Sequence, residues 1–270
     1  MDEVVCPVCS GDSSLVLTYE VWAGNRACLS SCQRCSFTFV QDPRWLEGSF
    51  NARLNDLDVG AADRSVMVAG FVRALLHSRR LRRLALLDFG GGDGLATRYL
   101  RDHGVDCRWE DPFCEPRYFV GEAPSRDAHF DLGFLSEVAL HFPDPMSVLG
   151  ELMTRCDRLL VTAVVPPTPI PEDWWYLMPS TGQHVAFYPI DALREMARQM
   201  SVDLVTDGRF FHMFCSKPPS TLEKLCFKSP AFALLRWKLI EISDLARRAL
   251  GKGRSLTESD QVAIQVGGVS

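Results

Sequence analysis

LLDFGGGDG, residues 86–94, is an apolar run that ends in an acid, Asp88, and passes into glycines at alternate positions, Gly90, Gly92 and Gly94. A helix-compatible stretch, LATRYLRDHG, follows at once. The pattern is that of a strand feeding a tight turn into a helix N-terminus, the place where open α/β sheets bind nucleotide-like ligands. Glycine suits such a turn because the missing Cβ admits φ > 0 and lets ligand atoms approach the backbone.

Spacing narrows the ligand. A dinucleotide fingerprint G-x-G-x-x-G counted from Gly90 needs a small residue where Leu95 stands, and counted from Gly92 needs one where Thr97 stands. That weakens a dinucleotide reading, and no G-K-[ST] follows the glycines, so a P-loop motif is absent. What remains is D-x-G-x-G-x-G. Two further stretches follow in order: VDCRWEDPF (residues 105–113) carries Asp111 about twenty residues beyond the glycines, and FDLGFLSEVALHFPDP spans residues 130–145. Glu110 neighbours Asp111 and would point to the opposite face of a strand.

The three motifs together resemble the class I S-adenosylmethionine (SAM) methyltransferases. That resemblance implies an α/β fold: a Rossmann-like sheet with helices on both faces, closing in a hairpin that DLVTDGRFFHMFCS (residues 203–216) would supply. It also implies a cofactor site of Asp88, Gly90, Gly91, Gly92, Gly94, Asp111, Ser136 and Glu137, in which the glycines pass beneath the cofactor and Asp111 accepts from its ribose hydroxyls. In the third motif Leu140 stands where the family commonly has a second Glu.

Cys6-Pro-Val-Cys9 and Cys32-Gln-Arg-Cys35 form C-x2-C…C-x2-C with 22 residues between the knuckles. Two such turns complete the tetrahedral thiolate shell of a closed structural Zn2+ site. A module of this size cannot fold on hydrophobic burial alone, so the metal supplies its stability. Two disulfides are the competing pairing, and Cys28 is left as a spare. The expected organisation is therefore a zinc ribbon over 1–45, a helical linker over 46–83, the SAM-binding core over 84–216, and a basic amphipathic extension and tail over 217–270.

On the acceptor side, DWWYLMPSTGQHVAFYP (residues 173–189) follows a predicted strand and should overhang the carboxyl ends of the sheet. Trp174, Trp175 and Tyr176, with Tyr188, are candidate substrate contacts, or else they seal the core. His184 and His141 are the candidate catalytic bases, since an imidazole titrating near neutrality can take a proton from an acceptor; the other reading of His184 is a hydrogen-bonded loop histidine. Asp144 is a reserve, and His77, His103, His129 and His212 receive no role. The stretch also resembles zinc-ribbon methyltransferases of sugar and secondary-metabolite pathways, which implies a small-molecule acceptor such as a sugar nucleotide, a glycan or a natural-product intermediate. An RNA methyltransferase with a zinc module and a non-catalytic SAM-binding scaffold are the alternatives.

Composition agrees with a soluble enzyme, and the expected location is the cytoplasm. With 270 residues, 47% of them hydrophobic, the chain can bury one full core, and a net charge of −5 argues against a chain that coats nucleic acid. No apolar run approaches the roughly 18 residues needed to span a bilayer, and MDEVVCPVC does not read as a signal peptide. Residues 217–254 hold nine Lys or Arg against three acids, a net of +6 that leaves −11 for the rest. Within them Leu235, Leu239, Ile242 and Leu245 would form one helical stripe, suited to packing on the core, to a homodimer, or to a peripheral contact with an anionic membrane.

Overall fold

The computed structural model describes residues 4–50, 60–76, 84–119, 121–250, 255–257 and 260. The basic run HSRRLRR (residues 77–83) and most of the tail lie outside the described residues. The chain is mixed α/β, with two sheets and two compact units.

The larger sheet has six strands: β5 (Ala85–Phe89), β6 (Asp106–Glu110), β7 (Leu132–Ser136), β8 (Arg158–Thr162), β10 (Asp203–Thr206) and β11 (Phe211–Cys215), in the order β10-β11-β8-β7-β5-β6. β5 pairs in parallel with both β6 and β7, so it is an interior strand of the sheet, and its Leu86, Leu87 and Asp88 are buried. That is why the strand reads as an unbroken apolar run with a single acid at its end. β10 and β11 form the antiparallel hairpin that the sequence indicates.

One unit comprises residues 60–136, 155–159 and 219–270. It carries the glycine turn and the helices α2 (Ala61–Leu75), α3 (Leu95–Asp102), α6 (Thr221–Lys228) and α7 (Pro230–Ala249). Ser220 starts α6 with a reciprocal cap: its hydroxyl accepts from the Glu223 amide while the Glu223 carboxylate accepts from the Ser220 amide. α7 lies on α2 through an unusually polar face. Asp244 pairs with Arg73, which is fully buried, and Glu241 accepts from the hydroxyl of Tyr99 on α3. Trp237 lies so close to Gly70 that a Cβ there would enter its indole ring.

The other unit comprises residues 1–59, 137–154 and 160–218. Its sheet has the order β1-β2-β3-β4-β9, with β1 (Val4–Val5), β2 (Asp12–Val21), β3 (Asn25–Cys32), β4 (Thr38–Val40) and β9 (Ala186–Phe187). The unit also holds the short helix α1 (Leu46–Ser49), α4 (Pro145–Arg155, whose last residue falls in the other unit) and α5 (Ile190–Met200). The N-terminal strands are therefore not a freestanding ribbon: β9, some 146 residues beyond β4 in sequence, adds the fifth strand through Thr38↔Phe187 and Phe39↔Ala186. Phe37, Phe39, Phe187 and Tyr188 fill the space behind it, with the Phe37 and Tyr188 rings 5.4 Å apart.

Candidate active site

The glycine turn lies wholly in one unit. Gly90, Gly92 and Gly94 all take positive φ, at 70°, 51° and 83°, and Gly94 is the N-cap of α3. Gly92 has open space where a Cβ would stand, whereas a Cβ on Gly91 would strike Trp109 and the Asp88 carboxyl. The alternate glycines thus form an open backbone cradle at a helix N-terminus, and Gly91 is small because the floor beneath it is packed. Asp111 closes one side: one carboxylate oxygen accepts from the Gly92 amide at 2.9 Å, the other from the amides of Phe113 and Cys114. Glu110 points elsewhere and takes a bidentate grip on Arg155.

Asp88 lies beneath the cradle. It is buried, and its Oδ2 accepts from both the amide and the hydroxyl of Thr97. Burial pushes its pKa up to about 7, against the Thr97 hydrogen bonds, and the Asp111 charge adds to the rise. Thr97 and Trp109, whose indole donates to the Gly92 carbonyl, are support residues that sequence reasoning missed. Both sit on regular elements with no motif of their own; burial in the fold was the only signal for them.

A second cluster lies wholly in the other unit. Glu137, directly after β7, is a non-glycine residue at φ 61°. Its carboxylate accepts from the Tyr176 hydroxyl at 2.6 Å and from the Thr162 hydroxyl at 3.2 Å, and its amide donates to Thr162 at 2.9 Å. A left-handed glutamate costs backbone energy that these three bonds offset. Tyr176 is buried, its oxygen also accepting from the Val164 amide, and its backbone carbonyl accepts from His184 Nδ1 at 2.7 Å. A carbonyl only accepts, so Nδ1 carries the hydrogen and Nε2 is the basic nitrogen.

His141 lies beside His184, ring centroids 5.7 Å apart, with Phe50 against its other side at 5.3 Å. Burial, with the neighbouring His184, lowers its pKa to about 3. The structure therefore gathers His184, His141, Tyr176 and Glu137, which are scattered over 48 residues of sequence. It separates the other aromatics: Trp175 is 68% exposed, Trp174 packs on Tyr176 and Phe187, and Tyr188 is fully buried with its hydroxyl on the Ala139 carbonyl. Ser136 ends β7, and Asp144 accepts from the Ser147 amide at the start of α4. His212 is buried between Thr206 and the Ala163 carbonyl.

At the N-terminal sheet, Cys6, Cys9, Cys32 and Cys35 place four sulfurs within 4.8 Å of one another, all buried. Cys28 is not one of them. Four converging soft donors can hold one tetrahedral ion with no open position.

A methyltransferase-domain family matches residues 61–206, more than half of the chain. The chain belongs to that family, and with the glycine turn and parallel sheet it is a class I SAM-dependent methyltransferase. A search of curated proteins returns no match. Among solved structures it is similar to the 1,6-didemethyltoxoflavin-N1-methyltransferase of Burkholderia thailandensis, with 16% identity over 74% of this chain and 97% of that one, TM-score 0.49. The magnesium protoporphyrin IX methyltransferase of Synechocystis PCC 6803 shares 14% identity over 61% of this chain and 86% of that one, TM-score 0.42.

Proposed function

We propose that this methyltransferase acts on a small-molecule acceptor that must lose a proton, such as a hydroxyl or amine of a sugar nucleotide or natural-product intermediate. The cofactor half of the reading rests on the open cradle at Gly92 beside the Asp111 carboxylate, and the proton half on His184, whose Nδ1 is held by the Tyr176 carbonyl. Gly90, Gly92 and Gly94 would run beneath the cofactor, and Asp111 would accept from its ribose hydroxyls. Bound there, SAM supplies an activated methyl group on a sulfonium centre. Asp88 acts indirectly, fixing the turn through Thr97.

On the acceptor side His184 takes the proton at Nε2. The Tyr176 carbonyl orients the ring, and the Glu137 carboxylate and Val164 amide hold Tyr176 in turn. His141, kept neutral by its surroundings, packs beside the base without adding a cation. The four cysteines hold a structural zinc, and a reduced thiolate cluster belongs in a reducing compartment such as the cytoplasm.

The test is calorimetric titration with S-adenosylhomocysteine beside an acceptor screen for methyl transfer. Asp111→Ala is expected to weaken product binding, whereas His184→Gln keeps that binding and lowers kcat by about 10²- to 10⁴-fold. Unchanged turnover in His184→Gln removes the histidine from the chemistry, and no binding by the folded parent overturns the cofactor site.

A further inference from the structure

α7 is turned the opposite way from an ordinary amphipathic helix on a core. Trp237, Glu241 and Asp244, spaced i, i+4, i+7, face α2 and α3, where they meet Gly70, Tyr99 and Arg73. Leu235, Leu239 and Ile242 repeat that spacing two residues out of step, which is about 200° around a helix, and so point away. They are 59%, 58% and 64% exposed, and Leu245 is 70% exposed. A soluble chain rarely leaves such a stripe to water unless something binds it.

The borders of the stripe indicate what binds. Lys238 stands exposed on one side, its ammonium over the Trp237 ring and paired with Glu241; exposed Arg247 lines, with Leu235, Leu239 and Asp244, a groove on the other side. The apolar stripe is therefore bordered by cations, and the two carboxylates nearest it are already paired, Asp244 with Arg73 and Glu241 with Tyr99 and Lys238. A two-fold pairing of this face with a second copy would bring two segments of like positive charge together. The segment around it, residues 217–254, carries +6 while the rest of the chain carries −11. An anionic surface would thus attract this helix and repel the remainder.

We propose that α7 is a peripheral membrane-binding element, which lays Leu235, Leu239, Ile242 and Leu245 into the interface of an anionic bilayer, with Lys238 and Arg247 at headgroup level. It rests on the surface: no described helix is long and apolar enough to cross a membrane. The inference does not depend on the methyltransferase reading, and it is tested without turnover.

The experiment is vesicle flotation of the full-length, metal-loaded protein on phosphatidylcholine vesicles with and without phosphatidylserine. Expected are binding to the anionic vesicles alone, release by high salt, and at least a roughly tenfold loss of partitioning in L235S/L239S/I242S. These side chains face solvent, so circular dichroism should show that variant folded; K238E/R247E provides a second variant that leaves the apolar stripe intact and should also lose binding. Equal binding to neutral and anionic vesicles would overturn the assignment. So would the absence of vesicle binding, and so would a dimer in gel filtration that L235S/L239S/I242S dissociates, which would give the face to a second copy.

Discussion

Asp88 sits near the end of an interior strand and is buried, so its carboxyl has left water for the hydrogen bonds of Thr97. Burial is the larger effect, and it raises the pKa from 3.8 to about 7. The folded chain therefore binds this proton more tightly than the unfolded chain. The resulting stability is present below the unfolded value and is lost as pH rises through about 7. His141 has the opposite sign: with a folded pKa of about 3 against 6.5, it adds stability above 6.5 that drains away as the pH falls toward 3. Asp88→Asn should consequently keep an acceptor for Thr97 yet lose this decline. The urea midpoint of the parent, relative to that of Asp88→Asn, should fall between about pH 4 and 7, with His141 contributing equally to both profiles; parallel profiles would show that Asp88 does not titrate there.

At the scale of elements, two segments owe their placement to contacts distant in sequence. α7 docks on α2 through the approach of Trp237 to Gly70, so Gly70→Ala is expected to destabilise the protein by about 1–3 kcal/mol, read as a lowered denaturant midpoint. The effect should far exceed that of Gly150→Ala, a helical position where a Cβ meets open space. The second segment is the loop over residues 173–189. It is stitched to the N-terminal strands by β9, by Trp45 donating to the Gly182 carbonyl at 2.9 Å, and by Gln183 donating to the Ser49 carbonyl at 2.8 Å. The base candidate His184 is therefore carried by the same sheet that carries the cysteines.

For the molecule as a whole, that shared sheet would give a metal held by the four cysteines a reach beyond its own ligands. Four buried thiolates without an ion would repel or protonate, and the sheet they terminate would lose its anchor. Removing the metal with a chelator, or replacing Cys32 with Ser, should lower the melting temperature. It should also reduce methyl transfer far more than S-adenosylhomocysteine affinity, because the cradle belongs to the other unit. One metal ion per chain by atomic absorption is the accompanying expectation. Equal loss of both readouts would mean that the two units unfold together.

Much of this protein was legible in the order of its residues. The glycine turn, the parallel strands and the closing hairpin follow from local rules, since buried strands need continuous apolar runs and a tight strand-to-helix turn needs residues that accept positive φ. The doubled C-x2-C spacing likewise announced its cluster, because each pair of thiolates is positioned by its own turn. Tertiary structure alone decided what depends on distant partners. The pairing of β9 with β4 joined the His184 loop to the N-terminal sheet, and Thr162 and Val164 completed the bonds around Glu137 and Tyr176. The orientation of α7 was decided in the same way. Its periodicity marked an apolar stripe correctly, yet which face turned inward was settled by the buried Arg73 and by the space above Gly70, neither of which leaves a mark in the helix's own sequence.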